Sequence, residues 1–111
     1  MSKYIESETL ELKEKYSDTI TKEIVSFLNS SGGTIIIGVK DNGIVVGVEN
    51  IDEVLRKISD IITSQIEPNP QDEITSELKF DDGKTIIVIN INKGQSHVYC
   101  NKKYGFSSSG C

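Results

Sequence analysis

The run Thr34 to Val39 (TIIIGV), followed at once by Lys40-Asp41-Asn42-Gly43, constrains this chain more than any other stretch. A continuous β-branched run has no polar side to turn toward water, so it reads as a buried central strand, covered on both faces. The Asn42-Gly43 pair favours the positive φ angles of a tight turn, and Gly43 to Val48 supplies a second apolar run to fold back on the first. The chain is thereby committed to a sheet with a hairpin at its centre.

The flanking segments supply the cover. Thr9 to Lys13 (TLELK) alternates as a short strand, with Leu10 and Leu12 on one face and Glu11 and Lys13 on the other. Ser17 or Asp18 can cap a helix carrying Ile20, Ile24, Phe27 and Leu28 on one side, and Ser31-Gly32-Gly33 stops it. Ile51, Val54, Leu55, Ile58, Ile61, Ile62 and Ile66 recur at helical spacing behind Asp52 and Glu53, which suit the positive end of a helix dipole; Glu67-Pro68-Asn69-Pro70 ends this second helix. Ile74 to Phe80 and Thr85 to Ile91 form a second hairpin about Asp81-Asp82-Gly83, and the tail from Lys93 to Cys111 holds one short edge strand around His97 to Cys100. The order strand, helix, hairpin, helix, hairpin predicts an α+β fold: a mostly antiparallel sheet with two helices packed against it, in one domain over residues 1–111.

Composition narrows the function. The apolar runs are far shorter than the roughly 20 residues that cross a bilayer, and the polar, acidic Met1 to Glu8 lacks the features of a secretory signal, so no membrane role and a cytoplasmic location are expected. Cys100 and Cys111 read as free thiols. With 12 basic and 17 acidic residues the net charge is −5, which opposes nonspecific duplex binding. Arg56 is the single arginine, so bidentate recognition of phosphate or guanine is nearly unavailable to this chain.

Four pieces in order resemble a known family. Glu6-Ser7-Glu8-Thr9-Leu10-Glu11-Leu12-Lys13 is similar to the "E-S-x-x-L-E-F-K" opening of Schlafen AlbA-like (AlbA_2) domains, with Leu12 where an aromatic is usual. The helix and turn from Glu23 to Thr34 resemble the block ending "A-F-x-N-T-x-G-G-T", and Ile35 to Gly47 resembles "hydrophobic-I-G-V-x-D-x-G-x-hydrophobic-x-G". The close departs from the pattern, because Ser108 falls where the family carries an arginine. The resemblance implies an AlbA-like α+β fold, an association with nucleic acid, and further domains beyond this segment.

In eukaryotic Schlafen proteins related domains use two Glu and one Asp as a metal-dependent ribonuclease site; Glu6, Glu11 and Asp41 match those positions. Such carboxylates can hold Mg²⁺ or Mn²⁺ to activate water or neutralise a pentacovalent phosphate, with Lys13 holding a phosphate oxygen. The plain alternative makes Glu6 part of a frayed terminus, Glu11 and Lys13 an exposed pair, and Asp41 a turn residue. Asn29, Gly32 and Gly33 offer either an anion cradle or a helix cap. They lack the Gly-Lys-Ser/Thr ending of a phosphate loop, so ATP binding is not expected of them. His97 stands alone and suggests no zinc site. Lys93, Lys102 and Lys103 interleaved with Tyr99, Tyr104 and Phe106 form the one basic and aromatic patch, suited either to stacking single-stranded bases or to an edge strand flanked by solvated lysines. The leading expectation is a nucleic-acid-binding module, for DNA or RNA, of a prokaryotic transcriptional-regulator-like protein. The alternatives are a metal-dependent endoribonuclease and a homodimerisation domain whose edge strands pair between chains.

Overall fold

The computed structural model describes residues 4–94 and 99–101, the last two by their backbone alone. Leu10–Lys13 forms β1, Ile20–Leu28 forms α1 and Gly33–Ile37 forms β2. The long helix α2 spans Ile51–Ser64 and leads into the two-residue strand β3, Ile66–Glu67. A single 3₁₀ turn over Gln71–Glu73 precedes β4, Ile74–Asp81, and its hairpin partner β5, Lys84–Ile91; β6 is Cys100–Asn101. The expected α+β class holds, with both helices in place.

The sheet runs β1-β2-β5-β4. β5 pairs antiparallel with both β2 and β4, but β1 pairs parallel with β2, so the sheet is mixed. The reason lies in the connection: α1 carries the chain back between β1 and β2, and a strand reached by a helical crossover lies parallel to its predecessor. β2 is the buried central strand that its sequence demands, with Ile35 and Ile37 facing the helices and Ile36 facing the other side. On the helix side these residues pack with Ile24 and Leu28 of α1, Ile58 and Ile61 of α2, and Ile87 and Ile89 of β5. On the other side Leu12, Ile36, Ile86 and Val88 are covered by Tyr4 and by Val39 and Val45. The Tyr4 hydroxyl donates to Asp81 and so fastens the first described residue across the sheet.

The expected second strand over Gly43 to Val48 does not form. Gly38 adopts φ +108° and ends β2, and its carbonyl then accepts from both Val46 and Gly47, so the return segment forms only an isolated Val39–Val45 bridge and one bond from Val48 N–H to Thr85 O of β5. Gly43 closes the turn on the Lys40 carbonyl at 2.8 Å and takes φ +89°, while Asp41 and Asn42 stay at negative φ. α2 also stops short of the proline segment, because Ile66 and Glu67 pair with Asn101 and Cys100. The edge strand expected around His97 to Cys100 is thus realised at Cys100–Asn101. Residues 95–98, which include His97, lie outside the described residues.

Gly33 opens β2 where the chain passes under the last turn of α1. A Cβ on this residue would come 2.4 Å from the Phe27 ring, so the chain leaves the helix by passing directly under that side chain. Gly33→Ala forces the ring out of the core and is expected to cost about 2 kcal/mol of stability, read from the urea midpoint.

Candidate functional site

The sequence places Glu11 and Lys13 on the face of β1 opposite Leu12, and parallel pairing sets them beside Ile35 and Ile37. That face is the one covered by the helices. Both side chains are therefore half-buried at the sheet edge instead of forming an exposed pair. α1 brings Glu23 over them: Lys13 Nζ lies 2.7 Å from Glu23 Oε2 and 3.8 Å from Glu11 Oε2. Glu6 approaches from the chain preceding β1, where its Oε2 accepts the Leu12 N–H at 3.1 Å. A cluster of three carboxylates and one ammonium results.

Burial, then the neighbouring charges of Glu23 and Glu6, push the Glu11 carboxyl up from its ordinary 4.5 to about 7, with Lys13 pulling the other way. Glu23 Oε1 is buried and has no hydrogen-bond partner among the described residues. A hydrogen bond between the Glu11 and Glu23 carboxyls favours the protonated form of Glu11 and adds to the rise. Burial alone would lower the Lys13 pKa, but its hydrogen bond to Glu23 and the surrounding carboxylates outweigh this and raise it. Lys13 is held by acids, its Nζ paired with Glu23 and Glu11. Glu23 escaped the sequence reading. Its position three residues after Ile20, on the flank between core positions of α1, was the available signal.

Asp41 is not part of this cluster. It sits exposed at the turn after Gly38 and is absent from the charges that act on Glu11, which are Glu23, Glu6 and Lys13. Among the described residues no three His, Cys, Asp or Glu side chains converge closely enough to hold a metal ion. The expected Glu6, Glu11, Asp41 site for Mg²⁺ or Mn²⁺ is therefore not assembled, because the Gly38 kink carries Asp41 out to the turn while Glu11 stays beneath α1.

Two of the three residues of the expected anion cradle, Asn29 and Gly32, make structural contacts. The Gly32 N–H donates to Phe27 O at 3.0 Å and the Thr34 N–H to Thr9 O at 2.8 Å, so these donors are spent on capping α1 and joining β1. The Asn29 carboxamide clamps Tyr99: Nδ2 donates to the Tyr99 carbonyl at 2.9 Å and Oδ1 accepts its N–H at 2.7 Å. The Tyr99 ring is only 2% exposed, packed in the helix-side core, where a Cβ on Gly94 would come 2.0 Å from it. A buried ring has no face to offer a base, which corrects the stacking role expected of Tyr99. Lys93 is exposed. Lys102, Lys103, Tyr104, Phe106, Ser108 and Cys111 lie outside the described residues, as does the side chain of Cys100.

Two outcomes follow from these contacts. The folded chain binds more protons at Glu11 than the unfolded chain between pH 4.5 and about 7, so the stability Glu11 contributes is full below that window and is lost as pH rises through it. Glu11→Gln should flatten this loss, raising the melting temperature at pH 8 by a few degrees, on the order of 2–5 °C, and changing it little at pH 4. Asn29→Ala removes both bonds to the Tyr99 backbone and should lower stability by about 2 kcal/mol in urea titrations, to the same extent in phosphate-free buffer.

Comparison with known proteins agrees with this architecture. The chain is similar in fold to the N-terminal domain of a Nitrosomonas europaea protein described as related to the ATP-dependent DNA helicase RecG, with a TM-score of 0.65, 18% identity, and coverage of 90% of this chain and 72% of that one. It is similar to the DIP2311 protein of Corynebacterium diphtheriae, with a TM-score of 0.63 and 18% identity; 86% of this chain is covered but only 19% of that longer one. No curated protein matches. No helix among the described residues is long and apolar enough to cross a membrane. The sequence model of the family described as Schlafen, AlbA_2 matches residues 6–108, and the chain therefore belongs to that family.

Proposed function

We propose that this chain is a nucleic-acid-binding module of a longer, regulator-like or helicase-like protein, contacting single-stranded DNA or RNA through Lys93, Lys102, Lys103 and Tyr104. The observation that carries this reading is the anchoring of the tail. Gly94 donates to Leu28 O at 2.9 Å and Asn29 clamps Tyr99, so the chain is held to the C-terminal end of α1 at Gly94 and at Tyr99. Exposed Lys93 lies just before the first anchor, and Lys102, Lys103 and Tyr104 follow shortly after the second in sequence. Cations attached to a fixed support bind a phosphate backbone with less ordering cost than cations on a free chain. Family membership and the fold shared with a RecG-related N-terminal domain favour the same reading. The net charge of −5 limits this contact to a local patch, with further cations supplied by the domains that accompany such modules.

Fluorescence anisotropy with labelled single-stranded and duplex oligonucleotides at two salt concentrations tests the proposal. Single strands should bind more tightly than duplex. Replacing Lys102 and Lys103 by Ala should weaken binding about tenfold and lower the salt slope by about 1.4, the amount lost with two phosphate contacts to a single strand. Binding that is undetectable at low salt, or that ignores the two lysines, overturns it.

A further inference from the structure

β4 is the outer strand of the sheet on the side away from β1, and among the described residues nothing pairs with its far edge. Its side chains from Thr75 to Phe80 are exposed on both faces, including Leu78 at 52% and Phe80 at 74%. Edge strands are ordinarily kept short, bulged or charged to prevent pairing with another chain. This one is eight residues long and ends in an apolar pair spaced two apart. It also has a direction in which it can bond. Asp82 and Gly83 both take positive φ in a two-residue turn closed by the Asp81–Lys84 pair, and the closing pair of such a turn is hydrogen-bonded. Pairs alternate from there, so Lys79, Glu77 and Thr75 bond to β5, while the backbone groups of Phe80, Leu78 and Ser76 point outward.

We propose that β4 is a homodimerisation edge, pairing antiparallel with β4 of a second copy about a two-fold axis at Leu78. Three properties of the strand select this occupant and this register. With Leu78 opposite Leu78, Glu77 of each copy stands across from Lys79 of the other, giving two opposite-charge pairs on one face. The outward backbone groups of Ser76, Leu78 and Phe80 meet their counterparts, since Ser76 stands opposite Phe80 and Leu78 opposite itself. On the helix side, Phe80 of one copy arrives beside Ser76 of the other, at the mouth of a groove of about 330 Å³ between β4 and α2. Leu55, Ile58, Ile62, Ile74 and Ser76 line that groove, which suits a phenyl ring. Dimerisation thus removes from water the two most exposed apolar side chains of β4 and joins two four-stranded sheets into one of eight.

Sedimentation velocity over a concentration series of the 111-residue chain, with charge-reversal variants, tests this. Glu77→Lys and Lys79→Glu each set like charges opposite one another twice and should weaken the dimer about tenfold or more. The double variant E77K/K79E restores opposite charges and should recover wild-type association. Unchanged association in the single variants, or no recovery in the double one, overturns the register. A chain that stays monomeric at every concentration overturns the dimer itself. As a second readout, Leu78→Cys in a background with Cys100 and Cys111 changed to Ser should form a disulfide dimer under mild oxidation, because directly opposed residues of a bonded antiparallel pair lie about 5.5 Å apart at Cα. An Ile44→Cys control, exposed but away from β4, should not. Equal crosslinking of the two overturns the proposal. The far-UV spectrum and urea midpoint of the Glu77, Lys79, Leu78 and Ile44 variants should match those of their parent chains, since these four positions are exposed.

Discussion

Everything in this molecule follows from the need to cover β2 on both faces. Three consecutive isoleucines, Ile35, Ile36 and Ile37, alternate between the two sides of the sheet, and each side must be dry. The helices supply one cover. The other is assembled from smaller pieces, Tyr4 at the amino-terminal end and the Val39 to Val45 loop, and it leaves the outer strand β4 largely uncovered. A small domain has only enough chain to cover the centre of its sheet well, so its edges become the places where function can be built.

The parallel pairing of β1 with β2 decides what kind of site one of those edges carries. An alternating strand at an antiparallel edge would turn its polar face to water. Here α1 crosses back over β1, and Glu11 and Lys13 end beneath a helix with Glu23 facing them. Burial of the Glu11 carboxyl, with the charges of Glu23 and Glu6 nearby, appears as its pKa raised to about 7. The same arrangement separates Glu11 from Asp41. In this chain the acidic residues of the family pattern divide between a carboxylate cluster beside α1 and an exposed turn.

The sequence announced the elements well wherever periodicity was strong. Both helices, the β4–β5 hairpin and the buried character of β2 were legible, because each rests on local alternation or on a helical stripe. The mixed sheet was not legible, since strand direction depends on how α1 crosses, and a hairpin-rich reading favours antiparallel neighbours. The GIVVGV segment has strand composition, yet Gly38 breaks the ladder through a backbone angle that composition does not specify. At the site, Glu6 and Glu11 were found through their motif, but Glu23 needed the tertiary placement of α1. Tyr99 looked like a surface aromatic because its neighbours are polar; Asn29, which holds its backbone against the core, is 70 residues away.

That long-range clamp gives the tail a part in the integrity of the fold. The Asn29 side chain acts as a one-residue strand, satisfying both backbone groups of Tyr99, and the ring behind it fills a place in the principal core. Lifting the tail would empty that place and expose the end of α1, so tail detachment and core loosening belong to one cooperative opening. A ligand that engages the docked tail then tightens the whole helix-side layer, and one that prefers the tail released loosens it. By mass action, anything that favours the docked Tyr99 raises the stability of buried isoleucines that it never touches.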